Sequence, residues 1–112
     1  MLNNFCETQA RIHREMHEGM GHIPRAALRE IIYAGVFEEA GEIAGIHKRE
    51  HRRFNRDLEE LTMDHLMEEI GDLLWYIFAL CDVENISVCD VMEYNKQKLE
   101  ARYGQHKSSE TL

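Results

Sequence analysis

The stretch FEEAGEIAG, Phe37–Gly45, returns in outline as MEEIGDLLW, Met67–Trp75. Each copy holds two adjacent acids, a small break, and a third acid three residues after the second. Residues three apart share a face of an α-helix, so Glu39 pairs with Glu42 and Glu69 with Asp72. On such helices Glu39 neighbours Gly35, Val36 and Ile43, while Asp72 neighbours Trp75 and Tyr76. The paired acids therefore border apolar stripes, where an unpartnered ionised carboxylate is costly. Acids crowded in such a place hold protons or take up cations. A hard divalent cation, Mg²⁺ before others, suits a set of oxygen ligands carried on helices. One such pair would read as ordinary surface acid. Two matched pairs, each on an apolar border and each with a glycine between its acids, point to a metal site. Gly41 and Gly71 weaken their helices, and are expected to let the helices approach closely.

Other chemistries fit less well. A di-iron bundle needs Glu-x-x-His on its helices, and none of the seven histidines has a Glu three residues before it. The pairs His13/His17 and His47/His51 have zinc-like i,i+4 spacing. However, Arg14 and Lys48 stand where a zinc protease carries its glutamate, and no cysteine cluster accompanies them. Asn95, Lys98 and Arg102 fall on one helical stripe of donors that could grip phosphate oxygens; without the acids this stripe would read as a solvated face. The run HKREHRRFNR, His47–Arg56, holds five Lys or Arg residues and reads as a solvated turn.

The elements that must position these residues are helical. Aromatic residues make up only 8% of the chain and there is one proline, so sequence-wide propensity favours helix over strand. A first helix is expected over about residues 4–18, with Phe5, Ile12 and Met16 as contacts. A second should run from Pro24, which suits a first helical turn, to near His51. Leu28, Ile31, Ile32, Val36, Ile43 and Ile46 then line one side. Thr62 is expected to cap a third helix carrying Leu66, Ile70, Leu73, Leu74, Ile77, Phe78 and Cys81. Ser87 with Asp90 resembles a capping box opening a fourth helix, which Gly104 should close. Residues 105–112 read as a loose tail. The fold class expected is all-α, a four-to-five-helix antiparallel bundle. It forms one domain over 1–112, with 1–23 as an N-terminal helix and turn and 24–104 as the catalytic helices.

With 44% hydrophobic and 30% charged residues the chain is globular rather than disordered. Its net charge of −8 argues against nucleic-acid binding. No apolar run reaches the roughly 18 residues of a membrane helix, and the N-terminus lacks the apolar region of a secretory signal. Cys6, Cys81 and Cys89 form no CxxC, and read as free thiols in a reducing, cytoplasmic setting. Cys81 should face the core.

In order along the chain, EEAGE, EEIGD, GDLLWYIFAL (Gly71–Leu80) and NKQKLEARY (Asn95–Tyr103) resemble the motifs of the MazG-like all-α nucleoside triphosphate pyrophosphohydrolases. The likeness spans about Leu28–Tyr103. It implies Mg²⁺-dependent hydrolysis of a nucleoside triphosphate, expected to be a dNTP, to monophosphate and pyrophosphate, with Mn²⁺ as a substitute metal. By the same resemblance Glu39, Glu42, Glu69 and Asp72 are metal ligands, and Glu38 supports a second metal or activates water. Asn95, Lys98 and Arg102 would contact phosphate and sugar, and Tyr76 the nucleotide. The resemblance also implies a homodimer or homotetramer whose site is completed between subunits. The competing readings are a phosphoribosyl-ATP pyrophosphohydrolase and a helical interaction module without turnover.

Overall fold

Apolar residues at three- and four-residue spacing fold into long helices. The computed structural model describes the backbone of residues 2–52 and 59–109 and the side chains within 4–48 and 63–104. Among these lie α1 (Leu2–Met20), α2 (Arg25–Arg52), α3 (Glu59–Val83) and α4 (Val88–Ser109), with no strand. Most of the basic run at 47–56, the side chain of Thr62 and the side chains of 105–112 lie outside the described residues. The all-α bundle expected from the sequence is the fold observed.

Two helix boundaries and the glycine packing differ from expectation. α3 begins at Glu59, so Thr62 sits inside the helix rather than at its cap. α4 continues to Ser109, so Gly104 does not end it and residues 105–109 are helical. A mid-helix glycine disfavours the helix by only about 1 kcal/mol, which a long helix absorbs. The third difference concerns glycine packing and is taken up below.

The α3–α4 corner is built tightly. Asn85 takes a left-handed φ of 59°, a conformation that Asn tolerates better than most residues. The Ile86 amide donates to the Cys81 carbonyl (2.8 Å) and the Asn85 amide to the Asp82 carbonyl (3.0 Å), the pattern of a Schellman C-cap. One face of α1, carrying Cys6, Gln9 and His13, closes over this corner. The Gln9 side chain donates to the Ile86 carbonyl (2.8 Å) and accepts from the Val88 amide (2.7 Å). It thereby satisfies an otherwise unpaired donor in the first turn of α4. His13 meets Asp82 at 2.7 Å.

Below the corner lies the core: Ile12, Met16, Ile32, Phe78, Ala79, Cys81 and Val88. Ile32 and Ala79 are wholly buried. Cys81 is buried, as expected. Trp75 packs at the core's edge and donates its indole N–H to Glu15 (2.9 Å). Across the α2–α3 seam, Arg29 meets Glu84 (2.8 Å). Gly35 faces the Tyr76 ring, and Glu39 faces Asp72. Each advance along α2 thus matches a retreat along α3, so the two helices are antiparallel. α4 leaves the corner the other way. Cys89 meets Cys6, and only Leu2–Phe5 of α1 lies beyond that contact, so most of α4 runs past the end of α1. Residues 91–104 are accordingly exposed throughout. The radius of gyration is 18.2 Å, against about 13 Å for a compact domain of this length.

The close helix approach is at Gly35, not at Gly41 or Gly71. A Cβ at either of those positions would have nothing within 4 Å, so they are not packing glycines. At Gly35 a Cβ would overlap the Tyr76 ring. Gly35→Ala is therefore expected to destabilise the fold. Overpacking of about 1–3 kcal/mol outweighs the roughly 1 kcal/mol gained in helix propensity. In a Tyr76→Ala background the ring is gone and the same change should become stabilising. Urea unfolding of the four proteins of this double-mutant cycle checks the change of sign.

Candidate metal centre

One turn along the seam from the Gly35–Tyr76 contact, α2 and α3 bring three carboxylates together. One oxygen from each of Glu39, Glu69 and Asp72 lies within 4.8 Å of the others. Such crowding of like charges disfavours full ionisation. The Glu39 carboxyl is pushed up to about 7, first by a hydrogen bond with the Glu69 carboxyl, then by desolvation and the charges of Glu69, Asp72 and Glu38. Its second oxygen, Oε2, is buried without a hydrogen-bond partner. A buried acceptor without a partner is uncommon, and an absent ion is one explanation for it. The Glu69 side chain is only 12% exposed, and His65 Nε2 lies 3.2 Å from its Oε1. The donor set is all carboxylate oxygen and includes an acid with a buried, partnerless oxygen, so it fits a hard divalent cation.

The other expected site residues are placed as follows. Glu38 and Glu42 are exposed on α2, and Glu42 lies outside the three-acid cluster. Tyr76 flanks the acids one turn away, half-buried against Gly35 and edge-on to Trp75 with ring centroids 5.2 Å apart. Asn95, Lys98 and Arg102 are exposed on α4, which packs chiefly against α1. Within one chain they are not gathered with the acids. His65 is a neighbour that reading the sequence for acids missed; its i,i+4 spacing from Glu69 was the available signal. A separate cleft of about 290 Å³ is lined by His13, Met16, Arg25 and Asp82 and by none of the clustered acids.

The model of the MazG nucleotide pyrophosphohydrolase domain matches residues 28–106. The Gene 37 protein of Mycobacterium phage L5 is 32% identical over 68 residues, which are 61% of this chain and 60% of that protein. The chain thus spans about 60% of the length of this curated relative. No solved structure matches.

The raised Glu39 pKa sets a pH dependence. Below about pH 4.5 this carboxyl is protonated in both the folded and the unfolded chain. Between about 4.5 and about 7 the folded state keeps a proton that the unfolded state has released, so its contribution to stability is lost as pH rises through that window. Metal-free protein should melt a few degrees lower at pH 8 than at pH 5 on this account, and Glu39→Gln should remove that part of the slope. Mg²⁺ added at pH 8 should raise the melting temperature of the native chain but not of the variant, as differential scanning fluorimetry would show.

Proposed function

The chain belongs to the MazG nucleotide pyrophosphohydrolase family, and on that premise we propose that it hydrolyses a nucleoside triphosphate, a dNTP by preference, to monophosphate and pyrophosphate. The observation that carries this reading is the Glu39–Glu69–Asp72 cluster, one oxygen of each within 4.8 Å of the others, together with the buried, partnerless Oε2 of Glu39. Glu39, Glu69 and Asp72, with Glu42 at the rim, are the residues to hold Mg²⁺, or Mn²⁺ in its place. Bound there, the ion neutralises polyphosphate charge and acidifies water. Glu38, exposed beside the cluster, accepts the proton of the water that attacks the α phosphorus. The α–β bridging oxygen then leaves with pyrophosphate. Tyr76 offers a ring edge to the nucleotide, held in place by Gly35. Lys98 and Arg102 donate to the outer phosphate oxygens and Asn95 to the sugar.

Since α4 carries its donors away from the acids of its own chain, we assign their meeting to a second copy. The supporting observation is on α3. Met63, Met67, Ile70, Leu74 and Ile77 recur at alternating spacings of four and three and are all exposed, Met67 at 66% and Leu74 at 49%. Such spacing is that of a helix–helix seam. Exposed apolar area of this continuity marks an interaction surface. A homodimer, or a homotetramer built from it, covers the seam.

Glu69→Gln and Asp72→Asn should each lower kcat/KM on the order of 100-fold or more while leaving helicity intact. Pyrophosphate release from a panel of dNTPs and NTPs, alongside circular dichroism, measures both. Near-normal turnover in either variant would rule out the site. In H₂¹⁸O the label should enter the monophosphate.

Paired Ile70→Asp and Leu74→Asp substitutions should convert the oligomer to a 13.2 kDa monomer in light scattering. Turnover should be lost with it. A native chain that is already monomeric at micromolar concentration would refute the assembly.

A further inference from the structure

The corner where α1 meets α4 holds a feature that hydrolysis does not use. Cys6 Sγ on α1 and Cys89 Sγ in the first turn of α4 lie 2.8 Å apart, although the residues are 83 positions apart in sequence. A covalent sulfur–sulfur bond is about 2.05 Å, so a sub-ångström approach would join them. Cys6 is exposed and lines the mouth of an open cleft of about 620 Å³ with Gln9, Asp82 and Ser87. Small reagents therefore have access. The remaining thiol, Cys81, is buried in the core and cannot compete for either partner.

We propose that Cys6 and Cys89 form a reversible dithiol/disulfide pair that clamps the root of α4 to α1. The oxidant is a low-molecular-weight disulfide. One protein thiol, as its thiolate, attacks a sulfur of that disulfide and releases one small thiolate, leaving a mixed disulfide. The second protein thiol loses its proton and displaces the second small thiolate. The Sγ–Sγ bond forms, two protein thiols are oxidised, and one small disulfide is reduced to two small thiols. Cys89 lies in the first turn of α4. The hydrogen bond with Cys89 raises the Cys6 thiol above its ordinary range, and either sulfur can open the exchange.

The clamp matters because of what α4 rests on. Beyond its first turn the helix is exposed from Val91 to Gly104. Its attachment is therefore concentrated at the root, in Gln9, the buried Val88 and the thiol pair. A covalent bond there fixes the origin of the whole arm whatever reaction the acids catalyse. In a reducing compartment the bond opens, which makes the arm responsive to thiol–disulfide balance.

The test uses the full chain, reduced and then incubated with oxidised glutathione. Non-reducing peptide mapping should show a Cys6–Cys89 cross-link within one chain, reversed by dithiothreitol. It should be absent from Cys6→Ser and from Cys89→Ser. Hydrogen exchange of the α4 amides near Cys89 should slow on the order of tenfold in the oxidised protein and not in the oxidised serine variants. Stable glutathione adducts, or cross-links only between chains, would overturn the pairing. A cross-link that leaves exchange in α4 unchanged would overturn the clamp.

Discussion

Carboxylates that repel one another are held together at the α2–α3 seam, and much of the structure serves to resist that repulsion. Glu39, Glu69 and Asp72 would separate if their helices were free to rotate or part. They are kept in place by packing on the core side. Ile32 and Ala79, wholly buried, lie two turns from Glu39 and Asp72, roughly 10 Å along the helix. Between them Gly35 admits the Tyr76 ring to the backbone of α2. A larger residue at 35 would push the helices apart where the acids need them close. In the proposed metal site, binding energy for a cation would be drawn from hydrophobic packing one and two turns away, since apolar burial and not pairing of the acids holds the seam.

The same logic explains why the site stands at one end of the packed region. The core is gathered beneath the α3–α4 corner, where α1, α2 and α3 all contribute buried side chains. α1 closes over the corner through Gln9, His13 and Glu15, each bonded to a group in or beyond α3. Further along the seam α1 has ended, and α2 and α3 continue with less covering. An acidic cluster needs this position. It must be near enough to the core to be rigid and far enough to be reached by the polyphosphate of the proposed substrate. Burial of Glu39 Oε2 beside exposed Glu38 and Glu42 marks the boundary between the two regimes.

How much of this was legible in the sequence follows from what periodicity can encode. Spacing of three and four reports which residues share a face, and so the two acid pairs, the four helices and the buried Ile12, Met16, Ile32 and Phe78 could be read directly. Spacing does not report what a face meets. Ile70, Leu74 and Ile77 look like core by pattern and are exposed in the single chain. Gly41 and Gly71 stand between acids and look like contact points, yet the contact is at Gly35, where α3 lays the Tyr76 ring against α2. Gln9 and the Cys6–Cys89 encounter depend on a fold that brings the start of α1 to the start of α4, a relation no local pattern carries. Gly104 failed as a stop because a glycine's preference is small beside the continuity of a long helix.

These exposed faces bear on what kind of object the chain is. Among the described residues nine apolar side chains are buried, while more than that number of large apolar side chains are exposed, most of them on α3 and α4. Ordering a helix costs conformational entropy at every residue, and for α4 little within the chain offsets it beyond Val88. In proteins most helical stability comes from tertiary packing of an apolar face rather than from propensity. The persistence of α4 and of the α3 seam is therefore best understood if folding and association are coupled, so that burial missing within one chain is supplied between chains. Stability would then depend on protein concentration. The donors on α4 would reach their acids only in the state that also completes the apolar packing. In the proposed assembly the second copy would cover the faces of α3 and α4 that the single chain leaves exposed.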